Sequence, residues 1–134
     1  MKRKLVIFLV FNFYSLIVFS QANDLQKDSL NYMWGDYYYL NSMYEKSILK
    51  YKTTEDNLSI VRLRNLANSY ILTNNLKEAL DIYEKITKSN KASVVDYYNY
   101  ANLLPAESNL AREYREKALK LPLASKNNLD INNR

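Results

Sequence analysis

Cysteine and histidine are absent from the 134 residues, glycine occurs once, at Gly35, and proline twice, at Pro105 and Pro122. Without cysteine there is no disulfide framework, and without either residue most zinc sites and nucleophilic triads lack their components. A single glycine excludes the loops that cradle phosphates. So little glycine and proline argues against a turn-rich β sandwich or barrel and favours helices joined by short polar loops. Carboxylates are present, but each stands at helical spacing from a lysine or in a cap, so paired acid–base carboxylates rank below solvated surface charge. The chain is therefore expected to be no enzyme and to carry no cofactor.

The formal charge of +5 includes Lys2, Arg3 and Lys4. Taking these three from the 19 basic residues leaves 16 against 14 acidic ones, interspersed rather than clustered, so no nucleic-acid footprint is visible. Those three cations open a secretory pattern: an apolar run from Leu5 to Phe19, then Val18 and Ser20 at the small-residue positions before a cut ahead of Gln21. Residues 1–20 are read as a signal peptide. An uncleaved anchor is the alternative, but the run is shorter than the ~20 residues that span a bilayer. The expected location is the periplasm or the periplasmic face of the outer membrane, with membrane contact only through this segment or a partner.

The rest of the chain repeats itself. Trp34-Gly35, Leu66-Ala67 and Tyr100-Ala101 are spaced by 32 and 34 residues, each a large residue before a small one. Three positions on stand Tyr38, Tyr70 and Leu104; twelve on stand Ser47, Ala79 and Glu113; sixteen on stand Tyr51, Tyr83 and Lys117. Such a pattern suits a helix, a tight turn and a second helix, with small residues allowing close approach and large ones filling the groove between pairs. Helices are predicted near 26–41, 43–53, 57–73, 76–89, 93–104 and 108–121. Ser42–Glu45, Asn75–Glu78 and Ser93–Asp96 resemble capping boxes. Acid-before-base pairs such as Glu84/Lys88 and Glu113/Lys117 add helix support. The polar stretch 122–134 is predicted to be a flexible tail.

The spacing resembles the tetratricopeptide repeat, most closely in the middle copy, where Leu63, Leu66, Ala67, Tyr70, Ala79, Tyr83 and Ile86 fall at the family's packing positions. The segments LANSYILTNNLKEALDIYEKI and DYYNYANLL resemble the N-terminal repeat domain of Bacteroidetes envelope proteins related to outer-membrane protein A, some of them linked to type IX secretion and gliding. The resemblance covers roughly residues 30–120, and nothing in the chain corresponds to those proteins' peptidoglycan-binding part. It implies an all-α, right-handed superhelical stack of about three hairpins over 21–121, with repeats near 28–56, 60–90 and 94–121. Packing is then assigned to Trp34, Gly35, Tyr38, Leu66, Ala67, Tyr70, Ala79, Tyr83, Tyr100 and Ala101.

In that family the first helix of each pair lines a concave groove that accepts peptide. The corresponding positions are Tyr32, Asp36 and Tyr39, then Val61, Arg64, Asn68 and Ile71, then Val95, Tyr98 and Asn102, with Asn99 as a further element. The resemblance gives the asparagines a peptide backbone to bond and Arg64 a ligand carboxylate. Of the adjacent tyrosines 37–39, at least one of Tyr37 and Tyr39 must face solvent, because successive helical residues point about 100° apart. The function expected is a non-catalytic scaffold of the cell envelope that binds a protein or peptide partner, and neither nucleic acid nor metal. A self-associating structural element and a glycan-binding accessory protein are the alternatives. The charged last helix reads as the end of the array, with a truncated relative of a longer protein as the other reading.

Overall fold

The computed structural model describes residues 21 and 26–121 of the chain, and over these it is all-helical, with no strand. The expected signal segment at 1–20 and the expected tail at 122–134 lie outside the described residues. Helix α1 covers 26–40, followed by α2 (Tyr44–Lys52), a short 3-10 turn (Glu55–Asn57), α3 (Ile60–Leu72), α4 (Leu76–Lys88), α5 (Val94–Leu103) and α6 (Asn109–Lys120). Adjacent helices pack in sequence: α2 on α3, α3 on α4, α4 on α5 and α5 on α6.

Side-chain size explains how closely the pairs approach. Gly35, Ser47, Ala67, Ala79 and Ala101 are all buried. A β-carbon built on Gly35 would lie 2.5 Å from Cε1 of Tyr51, so only glycine lets α1 sit against that ring. Ser47 stands where the middle copy has Ala79, and its hydroxyl donates to the Gly35 carbonyl at 3.0 Å, joining α2 to α1. The core around them holds Tyr51, Leu66, Tyr70, Ile82, Tyr83, Ile86 and Tyr100.

The turns inside the first two pairs are copies of one another. Ser42 N–H donates to Tyr39 and Met43 N–H to Tyr38; Asn74 N–H donates to Ile71 and Asn75 N–H to Tyr70. This is the Schellman pattern, which needs a left-handed residue after the helix. Ser42 (φ 58°) and Asn74 (φ 60°) take that conformation, where glycine is usual. The capping boxes expected at Ser42 and Asn75 do not form. Ser42 closes α1 instead of opening α2, and the Asn75 amide donates to the Thr73 hydroxyl at 2.8 Å. The third expected box is present: Ser93 accepts from the Asp96 N–H, and the Asp96 carboxylate accepts from the Ser93 N–H at 2.7 Å.

The third pair departs from its expected register. Pro105 lacks an N–H and forces its predecessor out of the helical region, so α5 ends at Leu103 with Leu104 extended (ψ 156°). Ser108 then caps α6, accepting from the Ala111 N–H at 3.0 Å. The small residue buried in the first turn of α6 is therefore Ala111, and residue 113 is exposed. Glu113 and Lys117 face solvent and pair with each other at 2.8 Å. With this shift Ser47, Ala79 and Ala111 stand at a constant spacing of 32.

Candidate functional site

The residue after each small position begins a chain of hydrogen bonds that occurs twice. Asp36 accepts from the Tyr51 hydroxyl at 2.6 Å, and that hydroxyl oxygen accepts from the Asn65 amide at 3.4 Å. One repeat later Asn68 Oδ1 accepts from the Tyr83 hydroxyl at 2.9 Å, and the Tyr83 oxygen accepts from the Asn99 amide at 2.9 Å. Each chain runs from a first helix, through a tyrosine of the second helix, to the first helix of the next pair. A buried phenol must find a partner, and here it finds one on either side. Burial, and for Tyr51 the hydrogen bond to the Asp36 carboxylate, raise both phenols above the ordinary tyrosine value. The Asn68 amide also donates to the Tyr39 hydroxyl at 3.3 Å, extending the second chain back to α1.

Two arginines lock these first helices in place. Arg62 grips Asp36 through Nε and Nη2, the shortest contact being 2.8 Å, while its guanidinium lies 4.8 Å from the centre of the Tyr32 ring. Tyr32 in turn donates to the Asn57 carbonyl at 3.2 Å. Arg64 holds Asp96 in a fork, at 2.9 Å from Nε and 2.7 Å from Nη2, and Nη2 also reaches the Lys91 carbonyl. Asp96 is 1% exposed. Burial alone would raise its carboxyl, but the bonds from Arg64 and from the Ser93 N–H and hydroxyl outweigh it, and the pKa lies below the usual value.

Between α3 and α5, under the α4–α5 loop, these groups line an open cleft of about 470 Å³. Its walls include Arg64, Asn68, Tyr83, Asn99, Asp96 and Ser93, with Lys91 and Val95 at the mouth. A second cleft, of about 450 Å³, runs along α4, and four of its charged residues form the ion pairs Lys85–Glu55 and Lys88–Glu84.

Of the groove residues assigned from the sequence, the cleft gathers Arg64, Asn68, Val95 and Asn99. Tyr98 and Asn102 are exposed further along α5, and Ile71 is half-buried. Tyr32 and Asp36 belong instead to the α1–α3 seam with Arg62. The Arg64 fork is turned onto Asp96, and the Asn68 side chain bonds Tyr83 and Tyr39, so both are engaged within the chain. Trp34, assigned to packing, is 43% exposed, and Tyr38 is half-buried against it with rings 5.7 Å apart. Sequence reasoning missed Tyr51, Asn65, Arg62 and Asp96 as partners. The 32-residue spacing of Asp36/Asn68 and Tyr51/Tyr83 was the signal available for the first of them.

Among the described residues no group of His, Cys, Asp or Glu is placed to hold a metal ion, and no helix is long and apolar enough to cross a membrane. No protein-family model matches this chain, and no curated protein does.

Proposed function

We propose that the chain is a non-catalytic scaffold of tetratricopeptide type, in which α1, α3 and α5 line one face of a superhelical stack that binds an extended segment of a partner protein. The observation that carries this reading is the cleft between α3 and α5, whose polar walls are held by the Tyr83–Asn68–Asn99 chain and the Arg64–Asp96 pair before any ligand arrives. Rigid polar walls lower the ordering cost of binding, and exposed Val95 at the mouth, with exposed Tyr98 one turn further along α5, supplies contact area. Because the inner asparagines are engaged within the chain, contact with the partner falls to Lys91 and Val95 at the mouth and to Tyr98 and Asn102, exposed further along α5. Export to the periplasm and a partner in the cell envelope are part of the proposal, and they rest on the charged-then-apolar order of residues 1–20.

The test is a photo-crosslinking amino acid placed at Val95 in the native cell envelope, with the same group at Leu119 on α6 as the control. A discrete protein adduct at position 95, absent at 119 and lost in Tyr98→Glu, supports the cleft. The same adducts from both positions would refute it.

A further inference from the structure

Helix α1 exposes one continuous apolar stripe. Leu30, Met33, Trp34 and Tyr37, at helical spacing, are 48%, 55%, 43% and 50% exposed. At the same repeat positions on later first helices stand Leu66 and Ser69 on α3, and Tyr100 and Leu103 on α5, all buried or half-buried. There α3 is covered by α2 and α5 by α4, as the Asn65–Tyr51 and Asn99–Tyr83 bonds show. The stripe on α1 is thus the face that elsewhere in the fold receives the second helix of a preceding pair. Its residues are large and uncharged, and the Trp34 ring packs edge-on against Tyr37 and stacked against Tyr38, with centroids 5.7 Å apart in both cases. Clustered exposed aromatics of this kind mark association surfaces.

We infer that this stripe joins two copies of the chain in a two-fold, antiparallel α1–α1 contact. The opposite end of the helix array selects this arrangement over head-to-tail stacking. On α6, the position equivalent to Tyr51 and Tyr83 is Arg115, flanked by Arg112 and Glu116. Stacking α6 of one copy on α1 of the next would take those charges, which are held by Asn109, the Ala106 carbonyl and Lys120 of their own chain, out of water against apolar side chains that offer them no partner, which is costly. A two-fold contact instead lays apolar stripe on apolar stripe. A symmetric interface needs a patch that complements itself, and a stripe without charge brings no like charges together. Antiparallel helices also set opposite ends of their dipoles side by side.

The sole tryptophan of the chain lies in the stripe and reports directly on it. The measurement is sedimentation equilibrium of the protein as its cells produce it, its N-terminus read by mass spectrometry, alongside Trp34 emission over the same concentrations. The expected result is a mass that rises from one chain to two and no further, with emission moving to the blue at the same midpoint. Met33→Glu, at an exposed position that leaves the fold intact by circular dichroism, is expected to raise the dimer dissociation constant about thirtyfold or more. Arg115→Glu is expected to leave it unchanged. In this cysteine-free chain Met33→Cys is expected to form linked dimers on oxidation, and Leu119→Cys to remain monomeric. A monomer at every concentration, growth beyond two chains, or a dimer as tight in Met33→Glu as in the parent would overturn the inference.

Discussion

Gly35→Ala tests the close approach of α1 to the Tyr51 ring of α2. The added carbon would lie 2.5 Å from Cε1, 2.6 Å from Cδ1 and 3.0 Å from Cζ of Tyr51. Relief requires the ring to move by about 1 Å to reach ordinary van der Waals separation. Tyr51 is fully buried, and its hydroxyl is held by Asp36 at 2.6 Å, so a shift of that size breaks the bond. Overpacking costs ~1–3 kcal/mol, and loss of a hydrogen bond to a charged acceptor a further ~1.5–3 kcal/mol. Replacing glycine by alanine inside a helix returns ~0.5–1 kcal/mol. The expected net destabilisation is therefore about 1.5–5.5 kcal/mol, read from urea unfolding followed by circular dichroism at constant m-value. In a Tyr51→Leu background the clash is gone and only the helix preference remains, so the same substitution should become stabilising by ~0.5–1 kcal/mol. If Gly35→Ala were neutral or stabilising in the parent chain, α1 and α2 would not be packed this way.

Three further outcomes follow from the same geometry. Asp96→Asn strips Arg64 of its counter-charge; because Arg64 is 30% exposed, the expected loss is about 2–3 kcal/mol, below that of a fully buried pair. The Asp96 pKa is depressed in the folded chain, so its stabilisation is complete above the unfolded value of about 4 and is lost as pH falls through the folded value, and a pH series of unfolding should show that acid slope weakened in Asp96→Asn. Ser42→Gly removes the strain of a left-handed serine and should raise stability by about 1 kcal/mol in thermal unfolding, with a smaller gain for Asn74→Gly because asparagine tolerates that region better. On α6, Ala111→Glu should destabilise by more than about 3 kcal/mol, whereas Glu113→Ala should change it by less than about 0.5 kcal/mol, and the reverse order would restore the unshifted register.

The helices were readable because their signals are local. Apolar residues at three and four, acid–base pairs one turn apart and Ser93 before Asp96 act within a few residues, and the spans near 76–89 and 93–104 lie within a residue of α4 and α5 at each end. The turns were harder to read. A left-handed residue after a helix is signalled by glycine, and this chain uses serine and asparagine there, which in sequence resemble caps of the next helix. The third pair misled for a related reason. Equal spacing carried the small position to Glu113, while Pro105 shortens α5 and shifts α6 by two residues, burying Ala111 instead. The cleft was half legible: Arg64, Asn68 and Asn99 could be placed on one face by helical periodicity. Their hydrogen-bond partners lie 15 to 32 residues away and have no local signature.

By itself the sequence determined that this chain is helical and where its helices run, because helix formation answers to spacing and end chemistry within one or two turns. Tertiary packing alone decided which polar groups remain for a ligand. Asn68 and Arg64 read as free donors until Tyr83 and Asp96, brought in from other helices, take them up. It also decided that Trp34 faces outward while its counterparts Leu66 and Tyr100 are covered, since burial depends on whether another helix lies above the position, and the residue's own chemistry does not specify that.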